Sequence, residues 1–146
     1  MPTTTGTFNF YKKGLGALVD GTANLSDVRV LLTTSTYTPD ANAHDFVADI
    51  TNELSGSGYA RQSLTGESKT EPSAGVWMFD SNNPTWTASG GSLVARYWVL
   101  FSFVTNDADS PLLAYGLLDN TPADVTTPDG LPLTINVPVN GWFRWQ

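Results

Sequence analysis

The sequence predicts an all-β fold: an antiparallel β-sandwich or jelly roll of about eight strands, with one or two short helices in the N-terminal third. Short apolar segments with a two-residue period recur along the chain, and turn residues separate them. Strands do not alternate with long helices, as they would around a parallel sheet. Because the chain has 146 residues, we predict a single β-sandwich domain over residues 7–146, preceded by a flexible arm over residues 1–6.

Composition narrows the classes of function. The 14 acidic residues outnumber the 7 basic ones and neither half of the chain is basic, so sequence-independent nucleic-acid binding is not expected. The lack of cysteine excludes disulfides, thiolate zinc sites and cysteine nucleophiles. Because no apolar run approaches the length of a membrane span, we predict no membrane partner either.

The first predicted helix runs from an N-cap at Thr7 to a stop at Asp20-Gly21. Gly14 and Gly16 weaken it by about 1 kcal/mol each, so packing must hold it in place. Its predicted buried face consists of four residues at helical spacing: Phe8, Tyr11, Leu15 and Leu18.

The stretch over residues 27–61 combines a strand with a second helix. The strand ends before Pro39, because proline lacks the N–H that a central strand needs. One face of this strand is apolar and consists of Val28, Val30 and Leu32. A helix of one or two turns is predicted to begin near Asn42. Its apolar positions are Phe46, Val47, Ile50 and Leu54. A Gly-Ser bend then leads into a strand over residues 59–64.

The middle of the chain contains the clearest strand signal. Residues 65–73 are polar and predict a loop, whereas the apolar Gly75–Asp80 and the brief Thr85–Thr87 predict strands. Ser92–Val104 predicts a central strand, because alternate residues form one entirely apolar face. That face consists of Leu93, Ala95, Tyr97, Val99, Phe101 and Phe103.

The last third predicts three more strands. Pro111–Leu118 is apolar on both faces, so we expect both faces to be covered. A long polar loop over Asp119–Gly130 precedes Leu131–Val137, whose two outward prolines suit an edge strand. Asn140-Gly141 then predicts a hairpin turn into a closing strand at Trp142–Gln146.

No group of residues predicts catalysis, and we expect neither enzymatic activity nor a cofactor. His44 is the single histidine, and its place at a helix start predicts an exposed side chain. No G-x-S-x-G motif surrounds any serine. Asp45, Asp49 and Glu53 lie four residues apart, which predicts a solvated helix face rather than a catalytic pair.

Asn106–Ser110 is the one segment rich in oxygen ligands of the kind that calcium prefers. It lacks the glycine and the glutamate of an EF-hand loop, and Leu118 stands where that glutamate would be. The preferred interpretation is an Asx turn between two strands, so we predict no metal site. A calcium site built from several loops is the alternative.

Five tryptophans support a carbohydrate-binding alternative, because aromatic rings can stack on sugars. Trp77 and Trp98 lie in strong strands and are predicted to be in or near the core. Trp86 lies between two threonines in a short segment and is predicted to be the most exposed ring. Trp142 and Trp145 lie on opposite faces of one strand, so at least one is expected at the surface. Tryptophan is also enriched at protein interfaces.

A longer pattern links the stretch over residues 27–61 to later strands. It reads Val30-Leu31-Leu32-Thr33, Tyr37-Thr38-Pro39, His44-Asp45-Phe46, Asp49-Ile50, Asn52-Glu53, Gly56-Ser57-Gly58-Tyr59, Ala95-Arg96-Tyr97-Trp98-Val99-Leu100 and Pro111-Leu112-Leu113. In these residues the chain resembles a widespread group of tailed-bacteriophage virion proteins. The resemblance spans Phe8 to Leu118 and does not include Trp142–Gln146.

The resemblance implies a head decoration (cement) protein with a jelly-roll or sandwich fold on the outer capsid surface. Its partner would be the major capsid protein, whose subunits it would bridge, and it would form a dimer or trimer at a capsid symmetry axis. The alternative is a carbohydrate-binding, fibre or tail domain of the virion that engages a host surface. The residues predicted to contact a partner are Pro2, Thr3, Thr4, Thr5, Trp86, Trp142 and Trp145.

Overall fold

The computed structural model describes residues 2–4 and 8–146, which form mostly antiparallel β-structure. The described helices are α1 (Lys12–Asp20) and a 3₁₀ helix (Val47–Asp49). The strands are β1 (Pro2–Thr4), β2 (Asn9–Phe10), β3 (Val28–Thr33), β4 (Gln62–Ser63), β5 (Ser68–Ser73), β6 (Val76–Asp80), β7 (Thr85–Thr87), β8 (Leu93–Ala95), β9 (Tyr97–Ser102), β10 (Leu112–Leu117), β11 (Val125–Thr127), β12 (Pro132–Asn136) and β13 (Phe143–Trp145). The prediction of an all-β chain with short helices in its first third is confirmed.

The central sheet has the strand order β2-β10-β9-β3-β4, with antiparallel pairing throughout. Its two longest pairings place β9 between β3 and β10, with Val28 opposite Ser102 and Thr33 opposite Tyr97. Strands β3, β9 and β10 are buried over most of their length. A strand that is covered on both faces is expected to be apolar at successive positions, and Pro111–Leu118 was predicted to be covered in this way.

Two hydrophobic clusters lie on the two faces of the central sheet. The first contains Val30 and Leu100 from the central sheet and side chains from β6, β7, β12 and β13. The second contains Leu31 and Val99, which point the opposite way, and side chains from the start of α1 and from residues 37–50. Each fully buried aliphatic or aromatic side chain contributes about 1.5–3 kcal/mol, so both clusters stabilise the fold.

The predicted continuous strand Ser92–Val104 is interrupted at Arg96, between β8 and β9. Leu93 and Ala95 belong to the first cluster, and so does Trp98, although it follows Ala95 by three positions rather than by an even number. The alternation therefore shifts by one residue at Arg96, and the prediction of a single apolar face is wrong. The Arg96 N–H donates to the carbonyl oxygen of Thr33 at 2.8 Å, and its side chain forms an ion pair with Asp124.

Two strands occupy segments that were predicted to be loops. Strand β5 pairs with β6 and β11 pairs with β8. Strand β5 is polar and exposed along nearly its whole length, so it has no apolar alternation. Its backbone hydrogen bonds to β6 hold it in place. Such bonds do not require alternating apolar side chains, so the sequence pattern did not predict this strand.

Strand β12 is not an edge strand, contrary to prediction. It lies between β1, which is parallel to it, and the antiparallel β7. Pro132 is tolerated because it occupies the first position of the strand.

The predicted hairpin at Asn140-Gly141 is also wrong, because β12 and β13 belong to different sheets. Gly141 has φ +73° and its N–H donates to the carbonyl oxygen of Pro138 at 2.8 Å. A side chain at this position would collide with the backbone of Phe79, so the turn requires glycine.

Helix α1 begins later than predicted and buries a different face. Tyr11 is its N-cap, whereas the predicted cap Thr7 lies outside the described residues. Gly14 and Ala17 are buried, and Leu15 is exposed. A Cβ at Gly14 would lie well inside van der Waals contact with the carbonyl oxygen of Leu112, so glycine allows α1 to approach β10. The predicted stop at Gly21 is confirmed by its left-handed φ of +78°.

Candidate functional site

The segment over residues 37–59 contributes side chains to both hydrophobic clusters of the central sheet. Tyr37 and Val47 lie in the second hydrophobic cluster, and Leu54 lies in the first. The backbone of this segment is also held at its margins. The Lys12 N–H donates to the carbonyl oxygen of Ala41 at 2.9 Å, and the Leu54 N–H donates to that of Leu32 at 2.9 Å. Most of the segment lies at the surface, but three buried side chains and these backbone hydrogen bonds anchor it to the core.

A chain of hydrogen bonds, buried at Tyr11 and Tyr37 and open to solvent beyond His44, links this segment to α1. The Tyr11 and Tyr37 hydroxyls lie 2.8 Å apart, and the Tyr37 hydroxyl lies 2.9 Å from Nδ1 of His44. The Asp40 N–H also donates to Nδ1, so this nitrogen is the acceptor and Tyr37 donates to it. Tyr37 then accepts a hydrogen bond from Tyr11. Burial raises the pKa of Tyr37 to about 12, and it raises that of Tyr11 further, so both stay protonated.

His44 therefore has a structural role that its predicted exposure did not suggest. Its ring stacks on Tyr37 with the centroids 5.5 Å apart, and it is only partly exposed. The prediction of an exposed His44 at a helix start is wrong, because residues 42–45 form no helix.

The helix of one or two turns that was predicted to begin near Asn42 is reduced to the 3₁₀ turn at Val47–Asp49. The Asp49 carboxylate accepts hydrogen bonds from the N–H groups of Asp45 and Phe46, at 2.8 and 2.9 Å. These two bonds lower the pKa of the Asp49 carboxyl. Asp45, Asp49 and Glu53 thus do not form one solvated helix face, and Asp49 acts as a local cap.

Glu53 belongs to a partly buried charge network with Arg61 and Asp107. The Arg61 guanidinium donates to both carboxylates, at 2.7 Å to Glu53 Oε2 and 2.6 Å to Asp107 Oδ1. The Tyr59 hydroxyl donates to Glu53 Oε1 at 2.8 Å and accepts from the Leu32 N–H at 3.1 Å. The guanidinium lowers the pKa of Asp107, and the paired carboxylates raise that of Arg61. This network connects residues 37–59 to the loop before β10.

That loop, Asn106–Ser110, adopts the predicted Asx turn. Asn106 Oδ1 accepts from the N–H groups of Ala108 and Asp109, at 2.8 and 3.2 Å. The Ser110 hydroxyl donates to the carbonyl oxygen of Asn106 at 2.7 Å. Within residues 2–4 and 8–146, no three His, Cys, Asp or Glu side chains gather as metal ligands would.

The tryptophans that are buried in the structure are not all the ones that were predicted to be buried. Trp86, which was predicted to be the most exposed, is 2% exposed, and its Nε1–H donates to the carbonyl oxygen of Ala60 at 2.7 Å. Trp142 is also buried and donates to the Ser81 hydroxyl at 2.8 Å. Neither ring is available to a partner, so the prediction that they make contacts is wrong. Trp98 is buried, as predicted.

The exposed indole is Trp77, which was predicted to lie in or near the core. It is 42% exposed and lies directly opposite the partly buried Trp145, across the antiparallel pair of β6 and β13. Cross-strand partners project from the same face of a sheet, so these two rings share one side. The alternation of β6 predicted burial, because Trp77 shares its face with buried Phe79. No distant segment of the described chain covers the ring at this second position of β6, and the sequence carries no signal for that.

The other predicted contact residues lie at the start of the chain. The backbone of Pro2–Thr4 forms β1 and pairs in parallel with Thr134–Asn136 of the same chain. Thr5 lies outside the described residues. Contact of this segment with a partner stays a prediction.

No helix in the part of the chain that the structure describes has the length and apolar character needed to cross a bilayer. No protein-family model matches the chain, and neither the curated proteins nor the solved structures contain a match.

Proposed function

We propose that the chain is a capsid decoration (cement) protein, which stabilises a tailed-phage head by bridging major capsid protein subunits on its outer surface. Such a protein acts through contact area rather than through a reaction. Each contact can be weak, because the lattice presents many copies and neighbouring contacts reinforce one another. The net charge of −7 fits a position on the outside of the shell, away from packaged nucleic acid.

The observation that carries the proposal is how residues 37–59 use their polar groups. His44, Asp49 and Glu53 belong to the virion-protein pattern, and each is engaged in hydrogen bonds within the chain. A pattern that serves to hold a surface rigid supports a scaffold or assembly role. It gives less support to a role in which these side chains bind or transform a small molecule.

The proposal includes the finer architecture. We propose that the sheets stack as a β-sandwich of the jelly-roll type. What supports this is the first hydrophobic cluster, in which Leu100 of the central sheet is grouped with Ile135 of β12 and Phe143 of β13.

A carbohydrate-binding or tail domain of the virion is the second candidate, and a specific observation favours it. Trp77 and Trp145 present two aromatic side chains on one side of β6 and β13, where a sugar ring could stack. The same pair would also suit a protein contact.

Cryo-electron microscopy of the virion that contains this chain tests the proposal. Symmetric density for the chain on the outer shell of the head is the expected result. Density at the tail tip or in a fibre would refute it and favour the second candidate. A glycan array probed with the isolated chain then tests the second candidate directly.

Occupancy on the shell tests the contact residues. Deleting Pro2–Gly6, or replacing Trp77 and Trp145 with Ala, is expected to lower the number of copies on purified heads while the chain remains folded. Val139→Ala is the matched control, because Val139 is 91% exposed and lies on the loop after β12. Unchanged occupancy for the deletion and for the tryptophan variant would show that these residues are not the contact.

A further inference from the structure

The outward face of α1 is apolar in its middle and charged at its ends. Val19 is 80% exposed and Leu15 is 37% exposed, and both lie on the side away from the buried Gly14 and Ala17. Gly16 lies between them, and a Cβ there would meet no described atom within 4 Å. Large aliphatic side chains exposed together on a short helix suggest a surface that something else covers.

The charges of α1 are opposite to those that stabilise an isolated helix. Its first turn contains Lys12 and Lys13 and no acidic residue, and its last turn contains Asp20 and no basic residue. The helix macrodipole favours the reverse arrangement. The N-cap residue, Tyr11, makes no side-chain hydrogen bond to the helix, and its hydroxyl bonds to Tyr37. Exposed Gly16, at the centre of the helix, is also less favourable than alanine.

We propose that the outward face of α1 binds the same face of a second copy of this chain, with the two helices antiparallel across a two-fold axis through Gly16. Residue 16 is the midpoint of Lys12–Asp20. The axis therefore places Lys12 of each copy opposite Asp20 of the other copy. The positive end of each helix dipole then meets the negative end of the other, so each unfavourable feature of the single helix becomes favourable in the pair.

The occupant is a second copy because the charge pattern is complementary to itself. A partner of one sign would satisfy Lys12 or Asp20 but oppose the other residue. Glycine at the crossing point lets two helix backbones approach closely. The two apolar side chains, Leu15 and Val19, then lie beside Leu15 and Val19 of the second copy, because the two-fold axis pairs each flank of the helix with itself.

Burying the exposed parts of Leu15 and Val19 of both copies against each other supplies the attraction, and the end charges set the antiparallel direction.

The pairing does not rest on the capsid role, because it is a property of the isolated chain. A nine-residue helix and its margins offer a small interface, so the dimer is weak, with a Kd on the order of 100 μM. On a particle, where copies are held near one another, the effective concentration would favour the pair.

Sedimentation equilibrium of the purified chain at physiological ionic strength tests the proposal. A concentration-dependent equilibrium between the 15.7 kDa chain and a species of twice that mass is expected. Val19→Glu should raise the Kd by roughly tenfold or more, because it introduces a charge into an apolar contact. Val139→Glu, at a valine that is 91% exposed on another surface, should leave the Kd unchanged.

Two further variants separate the interface from helix stability. Gly16→Leu should raise the thermal stability of the dilute monomer, since leucine is the better helix former and has open space, yet abolish the dimer by separating the backbones. Lys12→Glu and Asp20→Lys should each weaken the dimer by roughly three- to tenfold, and the double variant should restore it.

Three results would overturn the proposal. The first is a chain that stays monomeric at millimolar concentration. The second is a dimer that Val19→Glu does not weaken. The third is a double charge variant no tighter than either single one, since that would exclude the antiparallel pairing of Lys12 with Asp20.

Discussion

The hydroxyl groups of Tyr11 and Tyr37 lie 2.8 Å apart between two rings that are almost completely buried. Tyr11 is the residue from which α1 begins, and Tyr37 follows β3 at the start of the segment over residues 37–59. A single hydrogen bond thus joins the first helix to residues 37–59. The Tyr37 hydroxyl in turn donates a hydrogen bond to His44. Helix and segment are expected to depend on each other for stability.

Tyr37→Phe should lower the free energy of unfolding by about 1–3 kcal/mol, because it leaves the buried hydroxyl of Tyr11 without a partner. The double variant Tyr11→Phe/Tyr37→Phe should be destabilised by less than the sum of the single variants, since it removes donor and acceptor together. Urea denaturation measures both. Tyr115→Phe is the control, because its hydroxyl forms no hydrogen bond with any described residue. Additive single effects would show that the two hydroxyls are not coupled.

Two glycines in α1 should respond oppositely to alanine. Gly14→Ala should destabilise the protein by about 3 kcal/mol, because its Cβ would collide with the backbone of Leu112 and push α1 away from β10. Gly16→Ala should stabilise the dilute monomer by about 0.5–1 kcal/mol, because nothing obstructs its Cβ. The pair is measured by thermal unfolding under identical conditions. Equal effects at the two positions would contradict the close approach of α1 to β10.

Stability should fall in acid, and Asp49 should contribute to the fall. The N–H groups of Asp45 and Phe46 hold the pKa of the folded Asp49 carboxyl below its ordinary value of 3.8. A carboxyl whose folded pKa is lowered adds stability above the ordinary value, and this stability is lost as the pH falls through the folded value. Asp49→Asn should therefore make the decline of stability below about pH 4 shallower. Its effect near pH 7 should stay below about 1 kcal/mol, because the amide oxygen still accepts a hydrogen bond.

The control for this measurement is Asp45→Asn, because the Asp45 carboxylate makes no side-chain hydrogen bond among the described residues. Unfolding free energies are compared by urea titration at several pH values. An unchanged acid slope in Asp49→Asn would mean that the two backbone hydrogen bonds do not favour the ionised carboxylate.

Tryptophan fluorescence should distinguish the exposed ring from the buried ones. Trp77→Phe should remove most of the emission that iodide quenches and change stability by less than about 0.5 kcal/mol, as is usual for a surface substitution. Trp86→Phe should leave the quenching unchanged and destabilise the protein by about 2–4 kcal/mol, because the smaller ring leaves a cavity around a buried position and the hydrogen bond to Ala60 is lost. If the quenched emission is lost in Trp86→Phe and kept in Trp77→Phe, then Trp86 and not Trp77 is the exposed ring.

Much of the local structure could be predicted from residue patterns. The alternation of Val28, Val30 and Leu32 places one face of β3 in the core, and the two-sided apolar run of β10 reflects cover on both faces. Gly21 ends α1 because glycine adopts the left-handed conformation readily. The Asx turn at Asn106 was predictable for a similar reason, since its hydrogen bonds lie within four residues. These features depend on interactions between near neighbours in sequence.

What the sequence by itself determined is therefore the class of the fold and the identity of its strongest strands, because period and turn chemistry are local. Only the tertiary structure decided that Trp86 is buried and Trp77 exposed, since this depends on which distant strand covers each ring. It also decided that residues 46–54 form only a short 3₁₀ turn, since their backbone groups bind the loop before β10, as the Val47 N–H does to Ser110. Contacts between residues far apart in the chain override local preference where they satisfy buried polar groups and fill space, and no local pattern records them.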